Sequence, residues 1–369
     1  MADKLNIFGN LDTIKTTLQG KFIVPPFSVL DARQGYWQRR KRKWIELGIK
    51  GELGREDNLT WGSEDDDVMN DPQLNCYRKR KKQKLAPGGG GGGCYLGSKD
   101  TKSSHKWKKS KIDSKEYNTQ GWVDEKGIKG NCIEQTGASI FDPVLSELMY
   151  RWFCPANGKI LDPFAGESTK GIVATCLGYN YTGIELRQGQ VNANLRQAKK
   201  IGLRPEWIKG DANCVNKLLP KKDKYDLVFT SPPYYDLEIY SEYEKDGSAK
   251  QTYKEFMDWY YSIFKQVVEH LRKNRFLVVK VGEIRDRKTG GYHNFVGDNI
   301  SCFLNLGLSY YNEIILVTAI GSLPIRISKQ FMSGRKIGKT HQNILVFYKG
   351  DPKNVKEKFS KETINADIT

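Results

Sequence analysis

The chain has 369 residues, with 60 Lys or Arg against 43 Asp or Glu, a formal charge of +17 at neutral pH. Such an excess points first to a polyanionic partner, nucleic acid above all, although it also serves solubility alone. No apolar run approaches the ~18–20 residues of a membrane span, and the N-terminus lacks the apolar stretch of a secretion signal, so a soluble cytoplasmic protein is expected. Seven cysteines (Cys76, Cys94, Cys132, Cys154, Cys176, Cys214, Cys302) are scattered without a CxxC pair. The four histidines (His105, His270, His293, His341) do not fall at zinc spacings. Reduced thiols and no metal are the expectation.

Residues 1–61 mix apolar and basic character. Lys21–Phe27 is expected to be extended, because Pro25 and Pro26 exclude helix there. Asp31 is expected to cap a helix reaching about Leu47 and stopped by Gly48. That helix carries Tyr36, Trp37 and Trp44 beside Arg39, Arg40, Lys41, Arg42 and Lys43. Aromatics between basic residues fit nucleic-acid contact, or equally the buried side of a surface helix with snorkelling lysines.

Across residues 62–135 the composition shifts. The acidic patch Glu64–Asp67 precedes the basic run Arg78–Lys84, and the six glycines Gly88–Gly93 follow. A polyglycine run has high conformational entropy and nothing to bury, so a flexible insertion is expected. Lys106, Lys108, Lys109 and Lys111 make the next stretch basic again. Either this is a solvated insertion, or an arm that orders along DNA.

An alternating αβ pattern occupies 136–350. Strands are expected at Lys159–Asp162, Tyr181–Leu186, Glu206–Lys209, Asp226–Thr230, Phe276–Val281, Tyr311–Val317 and Asn343–Tyr348. Helices separate the first six, which predicts an α/β, doubly wound, seven-stranded sheet closed by a hairpin, with an N-terminal extension and a flexible basic insertion. A polar tail, 351–369, follows.

Chemistry-bearing residues recur where these strands end. Asp162-Pro163-Phe164-Ala165-Gly166 forms a strand-to-helix turn that lacks both GxGxxG and GxxxxGK[ST]. A single glycine beside an acid suits a nucleoside cofactor without phosphates. Glu185, ending the next strand, can take ribose hydroxyls, and Asp211, after the third, can accept from an adenine amino group. S-adenosylmethionine fits these demands. Each acid alone reads equally as a cap or turn residue; their sequence at successive strand ends carries the cofactor reading. The fourth strand ends in Ser231-Pro232-Pro233-Tyr234, where two prolines stiffen the corner. Ser231 and the Pro232 carbonyl offer two acceptors to an amino group, and the Tyr234 ring offers a stacking face. Taken by itself, the corner also reads as a plain strand end. No Pro-Cys dipeptide exists, so the cysteine route to ring-carbon methylation is not expected. Asp236 or Glu238 are candidates to help remove a proton, or solvated loop residues.

The series FDPVLSEL, DPFAGEST, GIEL, GDA, TSPPYYDLE and NILVFYKG, in this order over about residues 136–350, resembles the S-adenosylmethionine-dependent DNA amino-methyltransferases, notably those carried by bacteriophages. The resemblance implies a Rossmann-like methyltransferase sheet, with Phe141 and Asp162–Gly166 around the methionine part of S-adenosylmethionine. It implies Glu185 at the ribose, Asp211 at the adenine, and Ser231, Pro232, Pro233 and Tyr234 as catalytic. The family's first motif usually continues Gly-x-Gly-Thr, where this chain has Gly166-Glu167-Ser168-Thr169. Ser before Pro-Pro leans toward cytosine N4 over adenine N6. The implied partner is double-stranded DNA with the target base flipped out, in a bacterial or phage-infected cell, with a restriction endonuclease as a possible second partner. DNA contact is expected from the N-terminal part and from a basic loop between the last two strands, with Arg326, Lys329, Arg335, Lys336 and Lys339; a solvated hairpin is the plain alternative. An RNA base methyltransferase of the same fold, a protein-amide methyltransferase and an inactive nucleic-acid-binding relative remain as other readings.

Overall fold

The computed structural model describes residues 18–49, 141–235, 252–286, 288–321 and 323–359, all within one compact unit made of Met1–Leu59 and Ser139–Thr369. The expectations for the insertion 62–135, and for Asp236 and Glu238, lie outside these residues.

Short apolar runs ended by turn residues build the strands. They are β1 (Val29–Asp31), β2 (Lys159–Asp162), β3 (Asn180–Glu185), β4 (Glu206–Lys209), β5 (Tyr225–Thr230), β6 (Leu271–Val281), β7 (Ser309–Val317) and β8 (His341–Lys349). Their order across one sheet is β1-β7-β8-β6-β5-β2-β3-β4. All pairs are parallel except those of β8, which runs antiparallel to both β6 and β7. The helices used below are α1 (Gly35–Glu46), α2 (Pro143–Phe153), α3 (Thr169–Cys176), α4 (Gln188–Lys200), α5 (Tyr253–His270), α6 (Phe295–Asn305) and α7 (Leu323–Gly334). Among the described residues no helix is long and apolar enough to cross a membrane.

Every residue of β5 is buried, as expected of a central parallel strand covered on both faces. Leu227 and Phe229 enter the core shared with α2 and α3, and Val228 enters the core shared with α5 and α6. The sheet is therefore doubly wound. After β2 the chain moves outward through β3 and β4, then returns to β5 on the other side of β2. Such a reversal opens a crevice at the carboxyl ends of β2 and β5, where open α/β sheets bind ligands.

Four expectations need correction. The sheet has eight strands rather than seven, because Val29–Asp31 pairs in parallel with Ile315–Val317 at the edge. Three residues are too few to show a period. Asp31 consequently ends a strand instead of capping a helix: its carboxylate closes on the Arg33 backbone N–H and guanidinium and on the Gln34 amide, and α1 begins only at Gly35. Lys21 and Phe22 belong to a helical turn, Leu18–Phe22: the residue that Pro25 bars from helical geometry is Val24, and the turn ends before it. The basic segment between the last two strands is largely helix, α7, not a loop; Ile325, Phe331 and Met332 recur there between its polar residues. Beyond β8, Val355–Phe359 adds a short helix, with the Phe359 ring centre 5.1 Å from that of Phe276.

The N-terminal aromatics belong to the core. Trp37 and Trp44 are almost wholly buried, donating from their indole nitrogens to Asp142 at 3.1 Å and Glu147 at 2.9 Å. Glu147, fully buried on α2, also takes both arms of Arg40 at 2.6 and 2.5 Å and Arg151 at 3.2 Å. The choice left open for this helix falls on packing: its tryptophans fasten it to α2 and are not free to stack on bases. Arg39 and Arg42 alone keep exposed basic heads on it, the other basic residues being partly buried.

Candidate active site

The crevice is lined on one side by the tips of β2 and β3. Asp162, fully buried at the end of β2, accepts from the Thr230 hydroxyl at 2.7 Å, the Tyr181 hydroxyl at 3.0 Å and the Phe164 backbone N–H at 3.1 Å. Lys170 Nζ stands 2.5 Å from its Oδ2 and is itself almost wholly buried. The carboxylate therefore holds the turn and ties β2 to β5. Nothing in the sequence marks Lys170 as its counter-ion, because a lysine opening a helix ordinarily reads as a surface residue.

Next to it the turn is pinned to β3. The Ala165 N–H donates to the Ile184 carbonyl at 2.9 Å, the Gly166 N–H to Glu185 Oε2 at 3.1 Å, and the Gly166 carbonyl accepts from the Asn194 amide at 2.9 Å. Gly166 has φ +59°, with nothing within 4 Å of where a Cβ would project. A side chain would be strained there, and its absence leaves backbone open to a ligand. Glu185 is only 9% exposed. Its second oxygen accepts from the Arg187 N–H at 2.9 Å, and burial pushes its carboxyl above the usual range against the pull of Arg187 and Gly166.

Where the family pattern has Gly-x-Gly, this chain uses side chains. Glu167 accepts from the N–H and hydroxyl of Thr169, both at 2.7 Å, and from the Phe141 N–H at 3.2 Å. Burial pushes the pKa of its carboxyl up as well. Ser168 turns its hydroxyl to the Gln197 carbonyl oxygen, and Gln197 donates on to the Gly48 carbonyl at 2.9 Å. Phe141 is thus held from Glu167, with the ammonium groups of Lys280 and Lys170 at 4.6 and 5.2 Å from its ring centre. Asp211, just beyond β4, takes the Asn213 N–H at 2.9 Å and opens a short 3₁₀ turn.

On the other side of the crevice stands the Ser231–Tyr234 corner. The Ser231 hydroxyl donates to the Lys280 carbonyl at 3.3 Å, and Pro232 is buried. The two tyrosines part company: Tyr235 packs among Tyr253, Phe256 and His293 with ring centres 5.5–5.7 Å away. Tyr234, half-buried, lies against Phe295 at 5.9 Å. Glu283 accepts from the Phe295 and Val296 N–H groups at 3.0 and 3.2 Å, which fixes the start of α6 behind Tyr234.

Glu185, Ser231 and the Asp162–Gly166 turn thus share one rim of parallel strands, and the Thr230–Asp162 bond joins its two sides. The five basic residues do not act alike. Arg326 and Lys329 lie in α7, with Arg335 and Lys336 just after it; Lys329, Arg335 and Lys336 are exposed. Lys339 instead turns its ammonium inward, where Nζ is buried without a hydrogen-bond partner among the described residues. Sequence reasoning missed this, and it missed Lys170, Glu167 and Lys280.

Strand order and rim are those of a Rossmann-like α/β sheet with its ligand side at the strand tips. The DNA methylase family, of the N6/N4 type, matches residues 37–196 and 225–368, so the chain belongs to that family, whose methyl donor is S-adenosylmethionine. The type II methyltransferase M.HinfI of Haemophilus influenzae is 32% identical over 85 residues, a stretch spanning 23% of this chain and 22% of that protein. Among solved structures, TrmN from Thermus thermophilus aligns at TM-score 0.38 and 13% identity over 57% of this chain and 49% of its own. A methyltransferase from Pyrococcus furiosus aligns at 0.37 and 12% over 57% and 84%. The residues present fit the cofactor: the Glu185 carboxylate at the end of β3 is an acceptor of the kind a nucleoside's hydroxyls need, and the open Gly166 backbone lies beside it.

Proposed function

We propose that this protein methylates DNA on the exocyclic amino group of a flipped base, cytosine N4 in preference to adenine N6. The observation that carries the proposal is the joining of two sites at one switch point. The Glu185–Gly166 cradle and the Ser231–Tyr234 corner sit on neighbouring strand tips, linked through Asp162 and Thr230.

An exocyclic amine is a weak nucleophile because its lone pair is delocalised into the ring. Ser231 and the Pro232 carbonyl accept its two hydrogens, drawing the nitrogen toward tetrahedral geometry and freeing the lone pair. Tyr234 stacks on the base and holds the nitrogen in line. S-adenosylmethionine, when bound, supplies an electrophilic methyl group. No covalent intermediate with the protein is needed, so catalysis is mainly positioning. Glu185 orients the ribose, Asp211 receives the adenine amino group, and Phe141 with the Asp162–Gly166 turn borders the methionine portion. Pro233 stiffens the corner. Lys329, Arg335 and Lys336, with Arg326, follow the phosphate backbone.

Mass spectrometry of nucleosides from the DNA and RNA of cells expressing the chain tests this. The expected product is N4-methylcytosine in DNA. N6-methyladenine would reverse the base preference, and methylation confined to RNA would overturn the substrate.

A further inference from the structure

We infer that Lys339 is a specificity-determining residue, donating to the O2 carbonyl of the target cytosine. The inference rests on the amino-methylation reading and adds the group that recognises the far end of the same base edge.

Lys339 Nζ is enclosed and makes no hydrogen bond, whereas Lys170, the other enclosed lysine of the site, has both Asp162 and the Phe164 carbonyl. A buried ammonium without an acceptor is costly, and burial indeed lowers its affinity for the proton. Glu283 is near enough for its charge to oppose that loss, but its oxygens already serve the backbone of α6. Folding alone therefore leaves a donor waiting.

Its location says for what. The place a Cβ would take on Gly282 lies 3.0 Å from Lys339 Nζ and 3.5 Å from the Tyr234 hydroxyl. The glycine thus makes room for the ammonium beside the ring assigned to stack on the base. Ser231 reaches the carbonyl of Lys280, and Gly282, against which Lys339 Nζ stands, follows two residues later, just past the end of β6. An acceptor for the amino group and a donor thus both stand at the end of β6, the donor beside the Tyr234 ring. Cytosine carries its amino group at one end of that edge and the O2 carbonyl at the other. Adenine has a C–H where O2 would be. Lysine has three donors and no acceptor, so cytosine satisfies it and adenine leaves it unpaired, which is how a buried polar group discriminates.

The test uses the duplex sequence that the wild-type enzyme methylates in cells, and the same duplex made abasic at the target nucleotide. Binding is measured for the full-length wild type, Lys339→Met and Lys339→Gln, with cofactor binding as the check on folding. Lys339→Met is expected to weaken binding to the cytosine duplex roughly tenfold or more and to leave the abasic duplex unaffected. It should also narrow the ratio of single-turnover rates between cytosine and adenine targets. Lys339→Gln, which keeps a neutral donor, should fall between, and it carries the comparison if the methionine variant folds poorly. Equal weakening on both duplexes would mean a phosphate contact and would overturn the inference, as would no weakening. Absence of methyl transfer by the wild type would instead remove the parent reading, and this one with it.

Discussion

The two sides of the crevice are built on opposite principles. At the tips of β2 and β3, buried acids meet donors inside the protein. Asp162 has Thr230, Tyr181, Phe164 and Lys170; Glu185 has Gly166 and Arg187; Glu167 has Thr169 and Phe141. Across the crevice, among the described residues, the Ser231 hydroxyl makes one long bond, and Lys339 Nζ makes none. The β2/β3 side is rigid, because satisfied networks in a low dielectric fix a single geometry. The Ser231 side keeps hydrogen-bonding capacity, as the proposed base-binding role requires of groups that must tell one base from another.

Experiments can break this contrast, the most drastic at the closed side. Asp162→Asn leaves Lys170 buried against a neutral amide, and by analogy with other broken buried pairs should cost about 3–5 kcal/mol. Urea denaturation measures it; a change within error would show that the network is not what holds the turn. Ser231→Ala should behave in the opposite way, with stability and cofactor affinity retained and turnover reduced on the order of a hundredfold, the scale for one positioned polar group in an active site. Tyr234→Ala should likewise lower turnover while cofactor binding survives, losing roughly 1–3 kcal/mol of stacking. Full activity in either variant removes the corner from catalysis.

A smaller effect tests Glu185. On the proposed reading, ribose hydroxyls donate to its ionised form, and burial raises its pKa. Cofactor affinity should therefore fall with decreasing pH earlier than an exposed carboxylate would cause, since protonation removes the acceptor. Glu185→Gln should abolish that acid limb and weaken binding roughly tenfold, as titration calorimetry across pH would show. The smallest effect is expected from reversing Lys329, Arg335 or Lys336 singly to Glu. Each reversal should weaken DNA binding several-fold and lower the salt slope by about one for every phosphate that the side chain had neutralised. An unchanged slope would take α7 off the DNA.

Much of this was legible from residues in order. Ile160–Asp162 and Leu227–Thr230 are apolar runs halted by turn formers, and such runs become parallel core strands wherever both faces are covered. Their ends therefore marked the rim. Glu147 shows the limit: a charge in an apolar helix reads as an exception, until Arg40, 107 residues earlier, arrives to neutralise it. Likewise α1 suited a nucleic-acid surface as well as a core until α2 covered its tryptophans.

Local propensity and pattern determined seven of the eight strands, the order of the motifs and the chemistry offered at the rim, since these depend on neighbours along the chain. Only the tertiary structure decided which charges are paired and which lysine is enclosed without a partner among the described residues. Those outcomes depend on desolvation and on partners a hundred residues away, and neither is visible from a residue's own surroundings in the chain.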